Sequence, residues 1–173
     1  MRLMTSLFML SGLALTSPAA LFAQQPNDAQ IAAIVVTANQ VDIDAGKLAE
    51  SKATSPEVKA FGKQMVTDHT GVNKQATELV TKLGVKPEDN PTAQTLKSGG
   101  ADNVRALTAL SGAAFDKAYV DHEVAYHQQV LDAVDKTLIP SAQNAELKAL
   151  LVKVRPAFVA HLEHAKQLQT SLK

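Results

Sequence analysis

Five histidines and no cysteine bound the chemistry open to this chain of 173 residues. His69 lies in FGKQMVTDHTGVN, where Phe61, Met65, Val72 and Ala76 recur at helical spacing and put the ring on an apolar stripe. His122 and His161 stand on comparable stripes in YVDHEVAYH and FVAHLEH. His127 and His164 fall about a quarter turn to the side. Glu123 and His127 are four residues apart, and His161 and His164 three, so each pair shares a helix face. Imidazole and carboxylate suit zinc, copper, nickel or iron. His122, Glu123, His127, His161 and His164 therefore form the candidate metal-ligand set, and His69 is read as a further core histidine. A core-facing histidine that packs and makes one hydrogen bond is the ordinary alternative for each ring. Counted outward from the turn near Pro140, His122 and His161 differ in depth by about 7 Å at 1.5 Å per residue, which predicts that the five do not all converge. The first helical segment carries no histidine, and Asp42 and Asp44 are its nearest donors. Asp68 points about 100° away from His69 around the helix and is placed at the rim.

Other chemistries find little footing. A carboxylate di-iron centre in a helical bundle needs Glu-x-x-His on two helices. The residues three after Glu57, Glu78, Glu123 and Glu163 are Ala60, Thr81, Tyr126 and Lys166. Without cysteine there is no thiolate nucleophile or ligand. Ser111 precedes Gly112 but lacks a strand–turn–helix elbow, and no glycine-rich phosphate loop occurs. No catalytic residue is assigned, the chain is read as leaning away from an enzyme, and a divalent metal is the one cofactor the residues could hold.

The elements that position these residues are helical throughout. Asp28 to Ala53 carries Ile31, Ile34, Val35, Ala38, Val41, Ala45, Leu48 and Ala49 at three–four spacing. Ser55 and Pro56 open a second helix that runs to about Leu83, with Gly84 as its stop. Gly84 to Gly100 is rich in turn formers and reads as a long connection with a short helical piece at Thr92 to Lys97. A third helical region spans about Ala101 to Thr137, bent or closely packed at Gly112. Ser141 is the expected N-cap of a fourth helix in which Pro156 should bow the axis. Four helices with one long crossover give an all-α, ferritin-like four-helix bundle.

Hydrophobic residues make up 46% and aromatics 4%, which suits closely packed helices. Formal net charge is zero, so the basic surface that nucleic acid requires is missing. Arg2, the apolar run Leu3–Leu15 and the small residues after it read as a secretory signal peptide over residues 1–23, ahead of a bundle domain over 24–173. Cleavage after Ala19 or Ala20 also fits the small residues. The apolar run is shorter than the roughly 20 residues a membrane span needs, so no span is expected after cleavage. A homo-oligomer is compatible with the small-residue faces.

FGKQMVTDHTGVN (Phe61 to Asn73), LSGAAFDKAYVDHEVAYHQQVL (Leu110 to Leu131) and VRPAFVAHLEHAKQL (Val154 to Leu168), in that order, carry a resemblance to the exported bacterial family known as domain of unknown function 4142. The resemblance covers nearly the whole mature chain. It implies a ferritin-like bundle and a periplasmic or outer-membrane-associated location, and it implies no particular activity. The expected function is thus an exported, non-enzymatic binding or interaction protein linked to envelope or stress physiology. The alternative is a protein that binds Cu, Zn, Ni or Fe, or a metal-dependent redox protein, using the bundle histidines.

Overall fold

A computed structural model describes residues 25–172. The expected signal peptide lies outside the described residues. The chain forms α1 (Asp28–Lys52), α2 (Pro56–Lys82), α3 (Pro91–Thr108) and α4 (Gly112–Ala133). A π-helical turn, Val134–Leu138, and a short α5 (Ile139–Ser141) then lead to α6 (Ala145–Ser171). No strand occurs among the described residues.

Helix boundaries follow local chemistry. Asn27 and Gln30 form a reciprocal capping box at the start of α1. The Ser55 side chain accepts from the Val58 N–H, and Pro56 at the first position of α2 has no N–H to leave unpaired. Gly84, at φ 63°, lets the chain leave α2 in the left-handed region while Val85 N–H bonds back to the Val80 carbonyl. The cap of α6 is Asn144, whose Oδ1 accepts from Glu146 and Leu147 N–H, and not Ser141 as expected.

The crossover is more ordered than its composition suggests. The expected short helical piece is the start of an 18-residue helix that continues through Gly99 and Gly100 to Thr108. Asn90 caps it, and Gly100 lies against α1 so closely that a Cβ there would sit 2.6 Å from Val41 Cγ2. The third helical region is in turn broken at Gly112, φ 59°, where α4 begins.

α1, α2, α4 and α6 make the four-helix bundle, and α3 lies across the outer face of α1. One apolar pack centres on Phe61, Met65, Phe115 and Tyr119. A second, at the other end, centres on Ile31, Ile34, Leu138, Leu147 and Leu151. The polar residues of α1 and α2 that join the core, Asn39, Asp42 and His69, fall between these packs along the chain.

Candidate metal centre

Along α1 the core-facing positions run Ile31, Val35, Asn39, Asp42, Ala45 and Ala49, so the three–four stripe carries two polar side chains into the interior. On α2 the stripe Phe61, Met65, His69 and Val72 does the same with one imidazole. On α4 it is Asp116, Tyr119, Val120, Glu123 and His127, and on α6 it is Val154, Phe158, His161 and Ala165. Asp42, His69, Glu123, His127 and His161 are each no more than 2% exposed.

The three rings are held alike. Asn39 Nδ2 donates to the Val35 carbonyl at 2.9 Å, which turns Asn39 Oδ1 toward His69. His69 Nδ1–H donates to that oxygen at 2.7 Å. His127 Nδ1–H donates to the Glu123 carbonyl at 3.1 Å. His161 Nε2–H donates to Asp68 Oδ2 at 2.9 Å. A carbonyl or carboxylate oxygen only accepts, so each bond fixes which nitrogen carries the proton. The remaining nitrogens, His69 Nε2, His127 Nε2 and His161 Nδ1, are buried and without hydrogen-bond partners. One nitrogen from each ring lies within 4.8 Å of the others. Ring centroids are 5.6 Å apart for His69 and His127, 5.2 Å for His69 and His161, and 5.4 Å for His127 and His161.

Asp42 closes the group. Its Oδ2 lies 3.3 Å from His69 Nε2 and 3.9 Å from His127 Nε2. A bare ring nitrogen facing a carboxylate oxygen sets two lone pairs against each other, so the contact needs a shared cation, a proton or a metal ion. Asp42, Glu123 and His127 form a second triad of donor atoms within 4.8 Å of one another. Glu123 Oε2 is 3.3 Å from His127 Nδ1, yet neither carboxyl oxygen of Glu123 receives a hydrogen bond. Leaving such buried groups unpaired costs roughly 1–3 kcal/mol each, more when charged.

Burial dominates the proton affinities. It drives Asp42 well above the carboxylate range, with the negative field of Glu123 adding to the rise. Glu123 is pushed up to about 7 by burial, partly offset by Asp42 and Tyr119 beside it. Burial holds His69 well below the ordinary histidine value, and the fields of His127 and His161 push the same way. His161 is also lowered, chiefly by burial, with Asp68 opposing. Burial thus favours the neutral form of His69 and His161, the state a metal ligand requires.

Of the expected ligands, Glu123, His127 and His161 stand in this cluster and His122 and His164 outside it. His122 stacks on Tyr126 at 5.5 Å and 14°, and burial with the field of His127 lowers it to about 4. His164 meets the Phe61 ring edge-on at 4.9 Å. The buried face of α4 is rotated from the expected one, which puts His127 inside and His122 toward the edge. His69, expected to pack, is central. The turn lies at 142–144 and not at Pro140, so His127, 14 residues before Ser141, and His161, 16 residues after Ala145, are the rings at matching depth. Asp68 is at the rim as expected, 40% exposed, but serves His161 rather than His69. Asp42 enters the cluster, while Asp44 is exposed and accepts from Gln40.

No curated protein matches the chain. Among solved structures it is similar to CopM in the Cu(II)-bound form, with a TM-score of 0.68 and 16% identity over 86% of this chain and 99% of that one. That likeness shows a shared helical-bundle fold. The family model described as Domain of unknown function (DUF4142) matches residues 14–168, most of the chain, and the protein belongs to that family.

Proposed function

We propose that this protein is an exported metal-binding bundle that holds one divalent ion of the copper(II) or zinc class. The ligands are His69 Nε2, His127 Nε2, His161 Nδ1 and an Asp42 carboxyl oxygen. The observation that carries the reading is that one nitrogen from each of three buried rings lies within 4.8 Å of the others, while each ring is hydrogen-bonded through one nitrogen and leaves the other unpartnered. Metal-bound histidines are characteristically anchored this way by a carboxylate, carbonyl or similar outer partner. Nitrogen with one carboxylate oxygen and no sulfur favours copper(II) or zinc over copper(I). The Cu(II)-bound form of CopM, on the same fold, supports copper.

Charge supports one ion. Ionised Asp42 and Glu123 carry two negative charges among neutral rings, and a single divalent cation balances them without a counterion. Arg2 followed by an apolar run and small residues supports export, and no helix among the described residues is long and apolar enough to cross a membrane. The role is read as holding the ion rather than turning over a substrate.

Calorimetric titration of the metal-free protein with copper(II) and with zinc should give one ion per chain. His69→Ala and His127→Ala should each weaken binding at least a hundredfold. His164→Ala should bind like wild type, because its ring lies outside the cluster. Equal losses in the His164 variant, or none in the other two, would sink the assignment.

A further inference from the structure

A cavity of about 90 Å³ adjoins the cluster. Exposed Thr92 and Gln129 stand at its outer side, and Asn39, Asp42 and His69 line its inner side. The wall between them is apolar, with Ala38 from α1, Leu96 from α3, Ala133 from α4 and the Phe158 ring from α6. The π-helical turn supplies Val134 and Leu138 to the same wall. Single π-helical turns are often found at functional sites. They insert an extra residue and locally widen the helix.

The free groups at the polar end of this cavity are an Asp42 carboxyl oxygen and a His69 ring nitrogen. Both groups of the Asn39 amide are engaged, with Val35 and His69. Asp42 Oδ1 and His69 Nε2 are unpartnered. A metal ion held at Asp42 and His69 would therefore present one side to the cavity. Nothing charged lines the wall apart from Asp42. The void is apolar along its wall and polar at its inner end, so it suits a guest with an apolar body and a polar head.

We propose that the cavity is a binding chamber for a small neutral molecule with a short aliphatic body and one lone-pair donor, the donor binding the metal ion from the Asp42–His69 side. This rests on the metal reading. It goes further in making the centre open to an exogenous ligand instead of closed. The apolar wall selects the body of the guest, and the ion selects its head.

Two arms test it separately. In the first, xenon-129 NMR of the metal-free protein reads the cavity alone. Xenon should bind the wild type, and Ala133→Phe, with Ala38→Val as a milder filling variant, should reduce that binding. In the second, copper-loaded protein is titrated with 1-butylimidazole and 1-methylimidazole, read by the visible d–d band. The butyl compound should bind about tenfold tighter or more, because it buries further methylenes. The filling variants should erase that preference while one copper per chain is retained. Absence of xenon binding overturns the proposal, as do equal affinities for the two imidazoles. Failure of wild type to take up copper sinks the metal reading instead, and the xenon arm still decides the cavity.

Discussion

At the scale of single residues, the proposed centre would divide its labour between groups that bind and groups that aim. Asp68 is an aiming residue. It accepts a hydrogen bond from His161 Nε2–H and so leaves Nδ1 as the buried, unpartnered atom. Asp68→Asn keeps the size but replaces a charged acceptor, and outer partners of metal-bound histidines are typically worth 10–100-fold in affinity. Asp68→Asn should therefore weaken copper binding about tenfold with stoichiometry unchanged, measured by competition against a chelator. An unchanged affinity would show that Asp68 only decorates the rim. Glu123 is a different case, because its cost appears without metal. Its folded value of about 7 exceeds the unfolded 4.5, so the folded state holds the proton more tightly. The metal-free fold then loses stability as pH rises from about 4.5 to 7, by up to roughly 3 kcal/mol, since the unfolded state binds fewer protons in that window. Glu123→Gln removes that loss. In metal-free denaturant melts the variant should match wild type near pH 4 and exceed it increasingly toward pH 7. The depressed histidines act in the opposite direction below pH 6.5, but they are common to both proteins and cancel in the difference.

At the scale of elements, the close pairing of α1 with α2 sets the distance from Asp42 to His69. Gly46 and Gly62 make that contact. A Cβ on Gly62 would meet Ala49 Cβ at 2.8 Å and the Gly46 carbonyl oxygen at 2.9 Å. The Gly46 carbonyl is backbone and cannot swing aside, so Gly62→Ala should push the helices apart. A cost of about 1–3 kcal/mol is expected from such overpacking. Metal affinity should fall with it, since Asp42 and His69 ride on the two helices. Gly71 in the same helix faces open space. Gly71→Ala should instead stabilise by about 0.5–1 kcal/mol through helix propensity. Denaturant midpoints of the two variants moving the same way would contradict this reading. The same elements explain what could be read in advance. The stripes of α2 and α6 were legible because nearly every core position is apolar. The helix α3 was hidden, since Gly99 and Gly100 read as loop and only contact with Val41 explains them. On α4 the buried positions include Asp116 and Glu123, which mimic a solvent face and shifted the apparent stripe by about one residue. Asn39 and Asp42 carried a signal, polar residues at stripe spacing among Ile, Val and Ala, that marks a core site rather than a surface.

For the whole molecule, the proposed metal binding would draw on the same buried charges that folding must accommodate. Without an ion the core holds carboxyls driven toward protonation and ring nitrogens with nothing to bond. An ion bound at the cluster must displace protons from the carboxyls, while His69 and His161, already lowered by burial, compete little. Copper or zinc affinity should therefore rise with pH up to about 7, following Glu123. Ligand that binds only the folded state stabilises it, by about 2.7 kcal/mol at a hundredfold excess over Kd. The bundle should thus melt higher with metal than with chelator, and the gap should be wider at pH 7.5 than at pH 5.5 at fixed total metal. Calorimetric scans of wild type and His127→Ala at both pH values check this. The variant should show almost no gap at either pH. A gap of equal size in wild type at both would mean that the buried carboxyls keep their protons when the ion binds, and that the ion sits elsewhere in the molecule.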